Sequence, residues 1–356
     1  MPKTLEAFAD GEAQARYQEN TEIARSNRVL RAELRDVQAQ FAEVQRKLGL
    51  HEALEAQHTS PPMWALPARS TQHRGIPCLE LADIHWGARV RPEEINHINA
   101  YSTRIAAQRI KRTFEGTIKL ARDYFAGLKY AGIQVFLPGD NFSAEIHDEL
   151  RETNDEAIID SVFSLAEQLE AGLRLLAKEF GTVKVACVVG NHPRRTKKPR
   201  SKRRVVDNYD YLLYRMLARD FAQTPEITIH VSASPDMLVK VYRTRYLLTH
   251  GDQFKGGSGI SAELAPLLLG VHRKKRRDAT TGKPFDIMVL GHFHRTLILP
   301  HNGLIVGGSI MGYDEFAFQQ NFLPEPPMSA FWTTTPERGV TFIAPVHAAK
   351  RSEEGW

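Results

Sequence analysis

Cysteine is scarce in this chain: its 356 residues contain two, Cys78 and Cys187. Both sit inside apolar, strand-like runs, so they read as small buried hydrophobes, which argues against a disulfide or a thiolate metal pair. Long apolar runs are missing as well. No stretch of about 18 apolar residues occurs, which excludes a membrane-spanning helix, and no apolar segment of the secretory type opens the sequence, so the expectation is a cytoplasmic protein in a reducing compartment. Between Glu19 and Leu48 there is neither glycine nor proline. What the chain does have is 42% hydrophobic residues, enough for a substantial core. Its net charge is only +5, but the positive charge is concentrated in two short runs, which favours acidic ligands.

The glycine- and proline-free stretch is helical in pattern. Ile23, Leu30, Val37 and Val44 recur every seven residues, and Asn20, Asn27, Leu34, Phe41 and Leu48 form the interleaved set. This heptad seam predicts a coiled coil that joins copies of the chain into a homo-oligomer, with Asn27 as a register-setting polar residue. The alternative is an amphipathic helix folded back on the rest of its own chain. Pro61, Pro62 and Pro67 mark a linker. The expected organisation is a helical segment over 1–50, a linker over 51–75, a main domain over 76–349 and a short tail over 350–356.

The main domain alternates strand and helix patterns, the signature of βαβ units with a mainly parallel inner sheet. Ile76 to Leu81 is an apolar run ending in Asp83-Ile84-His85. A long helical stretch is predicted from Glu93 to Tyr130, and Ile133 to Leu137 is a buried strand followed by Pro138-Gly139-Asp140-Asn141. Asp155 to Phe180 is predicted as an amphipathic helix. The strand Thr182 to Val189 then feeds Gly190-Asn191-His192. Ile227 to Val231, Met237 to Tyr242 and Arg245 to Leu248 are short strands read as antiparallel neighbours, the last leading into Thr249-His250-Gly251-Asp252. A Gly-rich loop, Gly256 to Gly259, and a helix follow. Ile287 to Leu290 ends in Gly291-His292-Phe293-His294, and Leu297 to Pro300 with Leu304 to Val306 is a closing hairpin.

Each apolar run thus ends in a potential ligand: Asp83, His85, Asp140, Asn191, His250, His292 and His294. In open α/β sheets ligands gather at the carboxyl ends of strands. Imidazoles mixed with carboxylates and one amide suit Mn²⁺, Fe or Zn²⁺ better than the oxygen-loving Mg²⁺ or Ca²⁺. Seven such residues suffice for two divalent ions if one carboxylate bridges them. The first basic run follows the G-N-H at once: Arg194, Arg195, Lys197, Lys198, Arg200, Lys202, Arg203 and Arg204. The second, Arg273, Lys274, Lys275, Arg276 and Arg277, precedes the G-H-x-H. Two such runs beside two motifs suggest a track for a polyanion.

In this order and spacing, D-x-H, G-D-N, G-N-H, H-G-D and G-H-x-H resemble the calcineurin-like metallophosphoesterase superfamily. The runs Gly139 to Leu150 and Gly312 to Phe318 are similar to those of phage- and prophage-type members, distantly related to nuclease subunits of double-strand-break repair. The resemblance implies an α/β (α+β) fold: a two-sheet sandwich flanked by helices, with a dinuclear site at the strand ends. It implies that Asp83, His85 and His294 hold one metal, that Asn191, His250 and His292 hold the other, and that Asp140 is shared. His192 stays off the metals, close to the phosphoryl group. Two positions depart from the pattern. Pro193 replaces the acidic residue that commonly follows G-N-H, and Ser143 replaces the Asp of protein phosphatases, leaving Glu145 as the candidate partner for His192.

The functional expectation is a two-metal nuclease acting on nucleic acid, most readily DNA with Mn²⁺, in a bacterial or phage-infected cell. His192 and Asn191 would act on the phosphoryl oxygens. The alternatives are a phosphatase or phosphodiesterase acting on a small molecule or nucleotide, and a coiled-coil nucleic-acid-binding scaffold whose metal site is vestigial.

Overall fold

The computed structural model describes residues 5–56, 73–255 and 264–356. The chain divides into two compact units, Met1–Arg69 and Ser70–Trp356. Among the described residues of the first unit, one helix, α1, runs from Leu5 to Ala56 over 52 residues. It passes the expected boundary at residue 50 because His51 to Ala56 contain no helix breaker. Every residue from 10 to 53 is exposed, the heptad positions Ile23, Leu30, Leu34, Val37, Phe41, Val44 and Leu48 included. The proline-marked part of the linker lies outside the described residues.

The second unit opens with β1 (His73–Glu80), then a 3₁₀ turn (Pro92–Ile95), α2 (Thr103–Lys119) with one π turn after it, β2 (Leu128–Tyr130) and β3 (Ile133–Leu137). The long helix expected over 93–130 is therefore broken. Asn96 and His97 adopt left-handed φ angles of 53° and 56°, and the Ser102 side chain caps a new start by accepting from the Ile105 amide. Next come α3 (Asp148–Thr153), α4 (Ile158–Phe180), β4 (Val183–Cys187), α5 (Tyr209–Asp220), β5 (Ile227–Val231), β6 (Asp236–Val241) and β7 (Thr244–Thr249). After α6 (Ala265–Thr280) the chain forms β8 (Ile287–Leu290), β9 (Leu297–Leu299), β10 (Leu304–Val306), α7 (Glu315–Gln319), β11 (Met328–Thr335), β12 (Gly339–His347) and α8 (Arg351–Glu354).

The strands make two sheets. One has the order β12-β11-β1-β3-β4-β5 with β2 added to β1, and the other the order β6-β7-β8-β10-β9. Strand parity sorts the core into layers, because successive side chains leave opposite faces. Val135 and Leu137 of β3 join the cluster shared with α2, α4 and α5. Phe136 between them joins Cys78, Tyr246, Val289 and Trp332 in the cluster between the sheets. A third cluster packs Met288 and Leu290 against Leu267 and Val271 of α6. The order helix, sheet, sheet, helix is the expected sandwich. Cys78 and Cys187 are both buried and free and belong to different layers.

Three expectations are corrected here. β5 pairs with β4 in parallel, not with a neighbouring hairpin strand; α5 makes the crossover that permits it. The β9–β10 hairpin does not close the domain. β11 and β12 follow, and β11 inserts antiparallel beside β1, pairing Ala330 with Glu80. All eight β11 residues are buried, so the strand lacks the alternation that marks a half-exposed strand. The segment at 350–356 is no loose tail. Glu354 is wholly buried and paired with Arg109, itself wholly buried, at 2.8 Å, and with Arg112 at 2.8 Å, while the Trp356 indole donates to it.

Candidate metal centre

The carboxyl ends of β1, β3, β4, β7 and β8 converge. Beyond β1 and β3 the two chains continue side by side: the Asp83 amide donates to Gly139 O, the His85 amide to Asp140 O and the Trp86 amide to Asn141 O. This requires unusual backbone. Asp83, His85, Asp140, His292 and His294 have φ of 48°, 48°, 55°, 71° and 51°, a left-handed conformation that costs non-glycine residues on the order of 1–3 kcal/mol and gathers at functional sites. Close approach explains two glycines. A Cβ on Gly190 would stand 2.0 Å from Asp140 Oδ1, and one on Gly139 would stand 2.1 Å from the Gly190 nitrogen.

Two groups of ligand-type side chains result. Asp83, His85 and His294 form one, and Asp140, His250 and His292 the other, with the ligand atoms of each within 4.8 Å of one another. Asn191 joins the second group: His250 Nε2 lies 3.0 Å from Asn191 Oδ1 and 3.1 Å from Asp140 Oδ2. All seven predicted ligands are thus brought together from positions up to 211 residues apart (83 to 294). Backbone amides fix the carboxylates, with His292 N donating to Asp83 Oδ2 at 2.7 Å and His192 N to Asp140 Oδ1 at 2.7 Å.

The electrostatics suit a cation. Burial pulls the imidazoles of His85, His292 and His294 down, His292 to about 3 and His294 to about 4, so they stand in the neutral, ligating form. Burial raises Asp83 well above its usual range, and its Oδ1 is buried with no hydrogen-bond partner. For His250, burial opposes charge, but the Asp140 carboxylate outweighs it and pushes the ring up to about 9. A buried carboxylate oxygen without a partner, grouped with neutral imidazoles, suits a divalent transition metal. The residues present therefore fit two ions.

No family model matches the sequence, and no curated protein does either. Three solved structures align with this chain at low similarity. A vacuolar protein sorting 29 structure from Cryptosporidium parvum is 15% identical over 76% of this chain and 97% of its own, with a TM-score of 0.29. The phosphoesterase Yfce from E. coli is 15% identical over 76% and 100%, with a TM-score of 0.30. A dimetal phosphatase from Danio rerio is 10% identical over 77% and 99%, with a TM-score of 0.34.

His192 lies against the first group, its ring 4.7 Å from that of His85, edge on. Burial pulls its imidazole below the ordinary range while the Asp140 charge works the other way, and its Nδ1 is buried without a hydrogen-bond partner. Glu145, the candidate partner, is exposed. The sequence reading does not single out Asp210, which is wholly buried beneath the tips of β3 and β4. Its carboxylate accepts from Gly190 N at 2.9 Å, Asp140 N at 3.1 Å, and Asn141 through N at 3.2 Å and Nδ2 at 2.7 Å. Burial, then the Asp140 charge, pushes it up to about 6. The available signal was Asn208-Tyr209-Asp210, a cap sequence opening a helix.

The basic runs divide into two kinds of residue. Arg194 is turned onto its own loop, donating to the carbonyls of Asn191, Thr196 and Lys197. Arg204 forms a bidentate pair with Asp252, both contacts 2.7 Å. Lys197 pairs with Asp148 and Arg203 with Asp207. Arg195, Lys198, Arg200 and Lys202 are exposed, with no ion pair among the described residues. The second run lies on α6, not on a loop. Lys274 is buried there against Asp236 and Thr249, and Arg277 pairs with Asp236 and Asp278. Lys275 stands over the Phe285 ring, and Arg273 and Arg276 are exposed. Gly256 to Gly259 lie outside the described residues, and no described helix is long and apolar enough to cross a membrane.

Proposed function

We propose that the chain is a metal-dependent phosphoesterase that hydrolyses phosphodiester bonds of nucleic acid. The observation that carries the hydrolase reading is the pair of buried ligand groups, Asp83-His85-His294 and Asp140-His250-His292, built at strand tips on strained backbone. Two divalent ions held there, most readily Mn²⁺, would supply an activated water and neutralise phosphoryl charge. Asp140 is the shared carboxylate in this reading, and the Asn191 amide stands beside it through His250. The His192 ring, edge on to His85 beside the first group, would hydrogen-bond a phosphoryl or leaving oxygen in this reading.

The substrate class rests on the loop that leaves Asn191. Arg195, Lys198, Arg200 and Lys202 are exposed cations a few residues past a candidate ligand, and such cations neutralise backbone phosphates. The resemblance to phage-type members agrees with that substrate. The test is incubation of the full chain with Mn²⁺ and single- and double-stranded DNA and RNA of defined ends, with a chromogenic diester alongside. Shortened strands are expected; turnover of the small diester with intact polymers overturns the nuclease reading, and no metal-dependent turnover of either overturns the hydrolase reading.

A further inference from the structure

We infer that Asp210 is a positioning residue that sets the spacing between Asp140 and Asn191, and so shapes the second metal group without touching an ion itself. The inference rests on the reading of the two groups as metal sites. Asp210 is wholly buried in the first turn of α5, held by Asn208, whose Oδ1 accepts from the Asp210 amide at 2.8 Å. The Asn208 Nδ2 reaches forward to Gly190 O at 2.9 Å. One helix start therefore grips the β4 tip by its carbonyl through Asn208 and by its amide through Asp210.

The two oxygens of Asp210 divide the work. Oδ2 takes Gly190 N and Asp140 N, joining the tip of β4 to the tip of β3. Oδ1 takes the backbone and side-chain nitrogens of Asn141. All four partners are donors, so the site requires a group that only accepts, which a carboxylate is and an amide is not. The tips need such a clamp because they press backbone to backbone at Gly139 and Gly190, where no side chain can act as a spacer. With the amide planes at 140 and 190 fixed, Asp140 and the next residue of the other tip, Asn191, meet His250 Nε2 at 3.1 and 3.0 Å. Ligand orientation by buried hydrogen-bond partners commonly governs metal affinity and activity by about 10–100-fold.

Asp210→Asn keeps the shape but turns one acceptor into a donor that faces two donors whichever way the amide lies. The full chain, wild type and variant, is titrated with Mn²⁺ by calorimetry, and the chromogenic diester is turned over at saturating metal, with rates expressed per folded molecule. Wild type is expected to bind two equivalents. The variant is expected to bind the second about 10–100-fold more weakly and to lose kcat in the same range, with KM nearly unchanged. Asn208→Ala, which loosens the brace and leaves the carboxylate, is expected to move both readouts the same way by less. It carries the test if Asp210→Asn does not fold. Wild-type affinity for both ions with wild-type kcat per folded molecule, in Asp210→Asn or in the Asn208→Ala that stands in for it, overturns the inference. A wild-type protein that binds no Mn²⁺ overturns the metal-site reading instead.

Discussion

The Nε2 atoms of His85 and His294 lie 3.1 Å apart although 209 residues separate them in the chain. Burial keeps both rings below their ordinary range, and Asp83 Oδ1, 3.9 Å from His294 Nε2, has no hydrogen-bond partner. A buried carboxylate oxygen with no hydrogen-bond partner beside two neutral imidazoles is a set of groups that a cation would satisfy. Mn²⁺ at about 100 times its dissociation constant should therefore stabilise the wild-type chain by about 2.7 kcal/mol. Asp140→Ala, which removes the shared carboxylate, should lose this shift and all hydrolysis, and His294→Ala should lose one bound equivalent. Thermal melts with and without metal check both, and an undiminished shift in Asp140→Ala rejects the ligand assignment.

His192 sits beside the candidate ligands, and its ring touches His85 only edge on. His192→Ala should keep both metals and slow turnover by about 10²–10⁴-fold, the usual span for losing a positioned proton-transfer group. Elemental analysis run with single-turnover kinetics separates the two effects. Metal lost from this variant would make His192 a ligand.

The exposed cations of the 191–208 loop and the internally paired ones should respond differently to alanine. Replacing Arg195, Lys198, Arg200 and Lys202 together should weaken binding of long nucleic acid and flatten its salt slope by about 0.7–0.9 for each phosphate no longer neutralised. Hydrolysis of the small diester should be spared. Lys274→Ala should instead destabilise the fold, since Asp236 loses a buried partner. Filter binding across a salt series reads the first expectation and chemical denaturation the second.

Glu354 offers a pH test outside the two candidate metal groups. Burial alone would raise its carboxyl, but the Arg109 hydrogen bond and charge hold it at about 2, below its ordinary 4.5. A depressed folded-state pKa contributes stability that is present above about 4.5 and lost as pH falls toward about 2, here up to about 3 kcal/mol. Glu354→Gln should cost about 3–5 kcal/mol at pH 7, because Arg109 keeps a buried charge without a counter-ion. The gap between the two proteins should narrow on acidification, as urea denaturation at pH 7 and pH 3 will register. A constant gap would mean that the pair contributes no pH-dependent stability.

Along α1 the seam residues are exposed, Leu30 at 58% and Val37 at 60%. If the seam joins copies of the chain, replacing Leu30, Leu34 and Val37 by Lys should lower the mass seen by light scattering and leave small-diester hydrolysis nearly unchanged. A mass that stays the same removes α1 from the assembly.

The sequence by itself determined the features that short stretches of chain encode. Apolar runs of strand length ending in Asp83, Asp140, Asn191, His250 and His292 reveal buried strands and their tips, because burial on both faces and the polar residue that follows are properties of adjacent residues. Only the tertiary structure decided what depends on contact between distant segments. β11 reads as one more buried run until it pairs beside β1 some 250 positions away (80 to 330). Glu354 becomes part of the core only when Arg109 receives it. Asp210 looks like an ordinary helix-start carboxylate until the tips of β3 and β4 turn four donors toward it. The basic runs show the same division. Their charge is written in the sequence, but Arg204, Lys274 and Arg277 are occupied by Asp252, Asp236 and Asp278. A cation's availability depends on which carboxylates the fold brings within about 4 Å of it, and spacing along the chain does not carry that distance.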